Sequence, residues 1–250
     1  SIYRRDGLGA DLVIATDGNA RGIEAKSAAP LTASYSEMPY RPVTAIIAFA
    51  GSTLEEVLHT QEATLLGYDP YQHETLDVHD IPVPLAANFT SAYGLWLARS
   101  DFSTQALRNV LGKSGSLDAP YVYLTQPFDP DRQVIVMLHG LASSPEAWIN
   151  VANEVMGDEE LRKRYQVWQV YYPTNAPLAY NHATIRAALA ATFRRFDPEG
   201  TAAASRDIVV IGHSMGGVLS RLLVSSSGSV LLDAVKEHQQ IDDAQMKKLQ

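Results

Sequence analysis

"IVVIGHSMGGVLSRLLV", residues 208–224, is the stretch whose reading decides the fold. An apolar run closes on Gly212, a corner follows, and apolar residues resume at helical spacing from Met215 to Val224. The corner Gly212-His213-Ser214-Met215-Gly216 has the form G-x-S-x-G, with Gly217 extending it. A strand that runs straight into a helix strains the backbone of the corner residue. Its neighbours must then lack side chains so that chain and substrate can approach. The helix aims its first amide groups, and the positive end of its dipole, at the place where an oxyanion would develop. Ser214 is therefore the candidate nucleophile; the competing reading is a glycine-rich helix start with a serine that merely caps it.

Working outward from this corner, the chain from Tyr121 alternates between strands and helices. YVYLTQPF (121–128) and QVIVMLHG (133–140) read as two strands about an Asp129-Pro130-Asp131 turn, which predicts a hairpin. Ser143-Ser144-Pro145-Glu146 reads as a helix start with a serine N-cap, and the helix is expected to reach about Met156. VWQVYYP (167–173) is the next strand, and residues 182–196 a helix with Ile185, Leu189, Phe193 and Phe196 on its apolar face. DIVVIG (207–212) completes the set. Such alternation makes a mostly parallel sheet with helices on both faces, here with an antiparallel edge.

A second signal lies upstream of Ser214. QVIVMLHGLASS places His139-Gly140-Leu141 at the end of a strand, a separation that suits two crossover units. With "VYLTQPFDPDRQVIVMLHGLASSPEAW", "YYPTNAP" and "VVIGHSMGGVLSRLLV", the sequence resembles the α/β-hydrolase superfamily. The likeness is to bacterial lipases and esterases, and to the branch that includes GPI inositol-deacylase-like enzymes. It covers about 121–228. The resemblance implies an α/β-hydrolase fold in which the backbone N–H groups of Leu141 and Met215 form an oxyanion hole. The implied function is that of a serine carboxylesterase or lipase acting on apolar esters, among them lipids and polyesters. His139 reads as a prop for the turn rather than a base. Amide, thioester or lipid-anchor deacylation with the same serine is the alternative within hydrolases; a binding module that lost its base is the alternative outside them.

A serine hydroxyl needs a base, and the base an orienting carboxylate. In this family both follow the serine. Of the residues after Ser214, only His238 is a histidine, with Asp233, Asp242 and Asp243 near it on a run that reads as helix, the wrong place for a triad. His59, His73, His79, His182 and His213 are no better placed. The expectation is that the acid and base lie beyond Gln250, that the C-terminal part of the fold is absent from this chain, and that 229–250 begin a helical lid. A missing C-terminal segment of the same protein is thus an expected partner.

Composition narrows the classes. The 250 residues carry a net charge of −8, with no basic stripe for nucleic acid. There is no cysteine, which excludes disulfides and thiol catalysis. No apolar run is long enough to span a membrane. The first residue is Ser1, which leaves room for a removed export signal, and export is the compartment the lipase-like reading favours. Gly112-Lys113-Ser114 has Leu107 where a phosphate loop needs glycine, and His73 and His79 lack zinc-ligand spacing, so no cofactor or metal is expected.

Residues 1–118 read as an N-terminal accessory module, 119–228 as the first half of the hydrolase core, and 229–250 as the lid. Within the module VTAIIAFA (43–50) reads as a buried strand. Ser52-Thr53-Leu54-Glu55 has capping-box spacing, and Leu54, Val57, Leu58 and Leu65 fall on one helical stripe. Residues 73–85 read as an edge strand or extended connection, 91–99 and 103–111 as helices, and 113–120 as a linker.

Overall fold

The computed structural model describes residues 1–16, 34–100, 102, 119–226 and 228. The predicted helix over 103–111, nearly all of the linker, and the lid region 229–250 lie outside them. In chain order the elements are β1 Arg4–Arg5, β2 Ala10–Ala15, β3 Tyr35–Glu37, β4 Tyr40–Phe49, α1 Leu54–His59, β5 Ala63–Tyr68, β6 Thr75–Val78, β7 Ile81–Pro84, β8 Ala87–Asn88 and α2 Ser91–Ala98. They continue as β9 Tyr121–Leu124, β10 Gln133–Leu138, a 3₁₀ turn at Pro145–Trp148, α3 Ile149–Gly157, α4 Glu159–Arg164, β11 Tyr165–Tyr171, α5 Leu178–Phe196, α6 Ala203–Arg206, β12 Val209–Gly212 and α7 Met215–Leu223.

The main sheet has the order β12-β10-β11-β9-β3. β10 runs parallel to both β11 and β12, while β9 is antiparallel to β11. Successive side chains of a strand point to opposite faces. In β10 and β11 both sets are mostly apolar and both are buried, with Gln166 and Gln169 of β11 as the buried polar exceptions. Ile135, Met137, Val167 and Tyr171 meet Trp148, Ala152 and Met156 on one face. Val134, Val136, Leu138, Trp168 and Val170 meet Ile185, Ala188 and Leu219 on the other. A sheet covered by helices on both sides is what the unbroken apolar runs required.

The expected hairpin between β9 and β10 does not form. The turn is present, with the Asp131 amide donating to Asp129 Oδ1 at 3.0 Å, but β11 sits between the two strands. The buried Gln166 side chain donates to the carbonyls of Asp129 and Arg132 and accepts from the Asp129 amide, so β11 is stitched to the turn itself.

Other differences are local. The 143–146 start opens a 3₁₀ turn before α3, and Ser144 makes no side-chain cap bond. Helix α5 begins at Leu178, four residues before the expected start. The capping box is Thr53 with Glu56, one register later than read, and α1 is so short that Leu65 falls in β5. Residues 73–85 form a two-stranded hairpin whose turn residues His79 and Asp80 have φ of 50° and 65°.

The N-terminal segment is joined to this sheet. β3 pairs in parallel with β9, and Met38, Tyr40, Tyr93 and Trp96 share a core with Ile135 and Met137. β2, β4 and β5 form a separate antiparallel sheet. The strand VTAIIAFA is buried only at its start: exposure rises along β4, and Ile47 and Phe49 are 61% and 57% exposed.

Candidate active site

The register of β10 and β12 sets Leu138 directly opposite Gly212. The segments leaving the two strands, His139-Gly140-Leu141 and His213-Ser214, therefore emerge side by side. The His213 amide donates to the Leu138 carbonyl at 3.1 Å and holds them so.

Ser214 has φ 54° and ψ −119°, a combination that non-glycine residues rarely adopt and that costs on the order of 1–3 kcal/mol. It is the residue immediately before α7 and is exposed, and its side chain makes no cap bond to the helix. This disposes of the capping-serine reading: the strained backbone is held with no cap to compensate it.

The glycines are needed for close approach. A Cβ on Gly216 would stand 2.1 Å from the Leu138 carbonyl oxygen and 2.5 Å from that of His139. On Gly212 it would meet the Gly216 oxygen and Ser220 Oγ, both at 2.3 Å. One on Gly140 would lie 2.9 Å from His213 Nδ1 and 3.3 Å from Ser214 Cβ, so the His-Gly turn abuts the corner. The start of α7 thus rests on the end of β10.

Two amides remain unspent here. Met215 is the first residue of α7, where N–H groups have no acceptor within the helix. The next two amides are engaged, Gly216 with the His213 carbonyl and Gly217 with that of Ser214, both at 2.9 Å. Leu141 is 63% exposed at the tip of the turn. Its neighbour Ala142 has φ 55° and donates its amide to Thr174 Oγ1 at 3.2 Å, which pins the turn.

His139 is fully buried and both ring nitrogens are occupied. Nδ1 donates to the Gly140 carbonyl at 3.0 Å, and Nε2 accepts from the Tyr172 amide at 3.4 Å. The ring stacks on Tyr172 at 4.4 Å between centroids, and the Tyr172 hydroxyl donates to the His139 carbonyl. Burial lowers the His139 pKa to about 4, against a gain from its bond to Gly140. Buried and with both ring nitrogens engaged, it supports the turn and makes no bond to Ser214.

That burial has a measurable consequence. Unfolded, the ring takes a proton near pH 6.5; folded, it resists until about pH 4. The stability contributed is full above the unfolded value and is lost as pH falls through the window between the two, because the unfolded state binds the extra proton. Urea titrations of wild type and His139→Asn should show an acid-side loss of roughly 3 kcal/mol in the former that the latter lacks. Equal slopes in both proteins would contradict the assignment.

No histidine ring among the described residues is hydrogen-bonded to Ser214. The His213 ring lies against Gly140. His59 and His73 bond to carbonyls of their own segments, Glu55 and Asp69; His79 is in the β6–β7 turn, and His182 is on α5. His238, Asp233, Asp242 and Asp243 lie outside the described residues. Two supporting residues were not singled out from sequence, Tyr172 and Thr174. The segment YYPTNAP carried them, but nothing in its pattern reveals a stacking partner and an acceptor for the turn.

Residues 135–246 match the family model described as Alpha/beta hydrolase family. No curated protein and no solved structure matches the chain. The family match takes in β10 through α7, the elements that build this corner, and together with the mixed sheet covered on both faces it supports an α/β-hydrolase fold for this part of the chain.

Proposed function

We propose that the protein is a serine hydrolase that cleaves carboxylic esters, a carboxylesterase or lipase, with Ser214 as nucleophile. The observation that carries this reading is the strained, uncapped backbone of Ser214 at an exposed strand-to-helix corner with the His-Gly turn packed beside it. Strain of this kind persists where the surroundings over-determine it, and it clusters at functional sites.

In the proposed reaction Ser214 Oγ attacks the ester carbonyl carbon while its proton passes to a histidine outside the described residues. The carbonyl oxygen becomes an oxyanion and accepts from the Leu141 and Met215 amides. Collapse breaks the bond to the alkoxy oxygen, which takes the proton and leaves as the alcohol; water then releases the acid from the acyl-serine by the same steps in reverse roles. Apolar substrates suit the surroundings: Leu141 and, one turn into α7, Val218 are 63% and 50% exposed.

Treatment with a fluorophosphonate, followed by intact mass and peptide mapping, is expected to place one adduct on Ser214. Turnover of p-nitrophenyl esters should exceed that of the matching anilides by at least about 100-fold, a transition-state difference of roughly 3 kcal/mol. Preference for the anilide would shift the reading to an amide or lipid-anchor deacylase. A protein that takes no label and hydrolyses no ester would leave a binding module.

A further inference from the structure

The three-stranded sheet β2-β4-β5 carries large apolar residues on both faces, yet among the described residues only one face packs against the core. Directly paired residues of an antiparallel sheet lie on the same face. One face carries Val13, Tyr40, Pro42 and Thr44; Tyr40 is buried, Val13 packs on the core, and the Thr44 hydroxyl donates to the Ala86 carbonyl at 2.6 Å. The other face is built from the pairs Leu12–Val43 and Ile47–Leu65, flanked by Ile14 and Phe49. Its large residues Leu12, Ile14, Ile47, Phe49 and Leu65 are 49%, 43%, 61%, 57% and 73% exposed. The remaining positions of this face are Ala10, Ala45, Ala63, Gly67 and Arg41, and the Arg41 guanidinium is held by Glu37 at 3.0 Å.

We propose that this face is where two copies of the chain associate, sheet against sheet. Two observations select a second copy over other occupants. The first is area. At roughly 200 Å² for a fully exposed large apolar residue, the five residues present on the order of 600 Å². Leu54 and Leu58 of α1, in the connection between β4 and β5, are a further 75% and 72% exposed. The roughly 600 Å² of the face alone lies at the top of what a monomer ordinarily exposes in one patch and is comparable to one partner's share of a standard-size interface.

The second observation is charge. A two-fold interface sets a surface against itself, so any net charge on it meets its own sign. The one charged residue of this face is already neutralised within the chain, which makes the face self-complementary. A membrane surface fits poorly: from Pro42 to Ala98 there are seven acidic residues and no lysine or arginine, so an anionic bilayer is repelled. The acids nearest the hairpin tip, Glu55, Glu56 and Glu62, belong to α1 and the connection to β5, where solvent screens their repulsion. Face-to-face packing of apolar sheet surfaces is an ordinary way to bury them.

Sedimentation of the chain from about 1 to 100 μM is expected to show a monomer–dimer equilibrium. Leu65→Asp should weaken it at least 100-fold, whereas Ile81→Asp, at a residue 63% exposed on the separate β6–β7 hairpin, should leave it unchanged. Cross-linking provides a second reading that tolerates a poorly folded variant. The chain has no cysteine of its own, so a bismaleimide should join copies through Ile47→Cys and not through Ile81→Cys. A wild-type monomer across the whole range overturns the proposal, as does a dimer indifferent to Leu65→Asp, or a monomer that binds a neutral lipid emulsion through this face.

Discussion

Ser214→Ala is expected to remove ester hydrolysis by a factor of roughly 10³ to 10⁶ in kcat/KM while leaving the fold intact, since losing the nucleophile of such a unit disables all of it. Alanine keeps the strained backbone, so its stability should match wild type within about 0.5 kcal/mol. Ser214→Gly is the informative companion. Glycine adopts φ 54° without penalty, which should stabilise the protein by roughly 1 kcal/mol or more and abolish activity together. Denaturant midpoints and p-nitrophenyl ester turnover on the three proteins decide the matter. Ester turnover that survives either substitution places the nucleophile elsewhere, and an unstabilised glycine variant shows that the backbone of Ser214 stores no strain.

Gly216→Ala should damage both stability and activity. Its Cβ would stand 2.1 and 2.5 Å from the carbonyl oxygens of Leu138 and His139, backbone atoms at the end of a central strand that cannot swing aside. The helix start must move instead. Overpacking costs about 1–3 kcal/mol and more where backbone is struck, so a loss of at least about 3 kcal/mol and a Tm lower by roughly 6–12 °C are expected. Because Met215 precedes Gly216, the same shift carries its amide away from Ser214, and ester turnover should fall at least tenfold in the protein that remains folded. Gly217→Ala is the control: its Cβ meets the Gly212 oxygen at 3.4 Å, an ordinary contact, and alanine favours the helix. Equal behaviour of the two variants would mean that α7 does not rest on β10.

Which features were legible follows from how local their causes are. The elbow could be read because strand, glycines and helix occupy consecutive residues, and Gly212 and Gly216 are demanded by contacts within a few residues or at the end of β10. The elements around it were legible for the same reason, from unbroken apolar runs and from the helical spacing of Ile185, Leu189, Phe193 and Phe196. Neighbour relations were not. β9, β10 and β11 are mostly apolar on both faces, so no alternation tells which two lie side by side, and the short Asp129 turn suggested a hairpin that β11 interrupts. The state of His139 was likewise out of reach in any detail, because its partner Tyr172 lies just past the end of the next parallel strand.

By itself, then, the sequence determined the class of fold and the strand-to-helix corner on which Ser214 sits, since period and turn chemistry act over a few residues. Only the tertiary structure decided the strand order, the burial that keeps His139 neutral, and the half-open apolar sheet of β2, β4 and β5. The physical reason is common to all three: an apolar residue carries the same pattern whether its face is covered or bare, and what covers it is settled by segments far away in the chain.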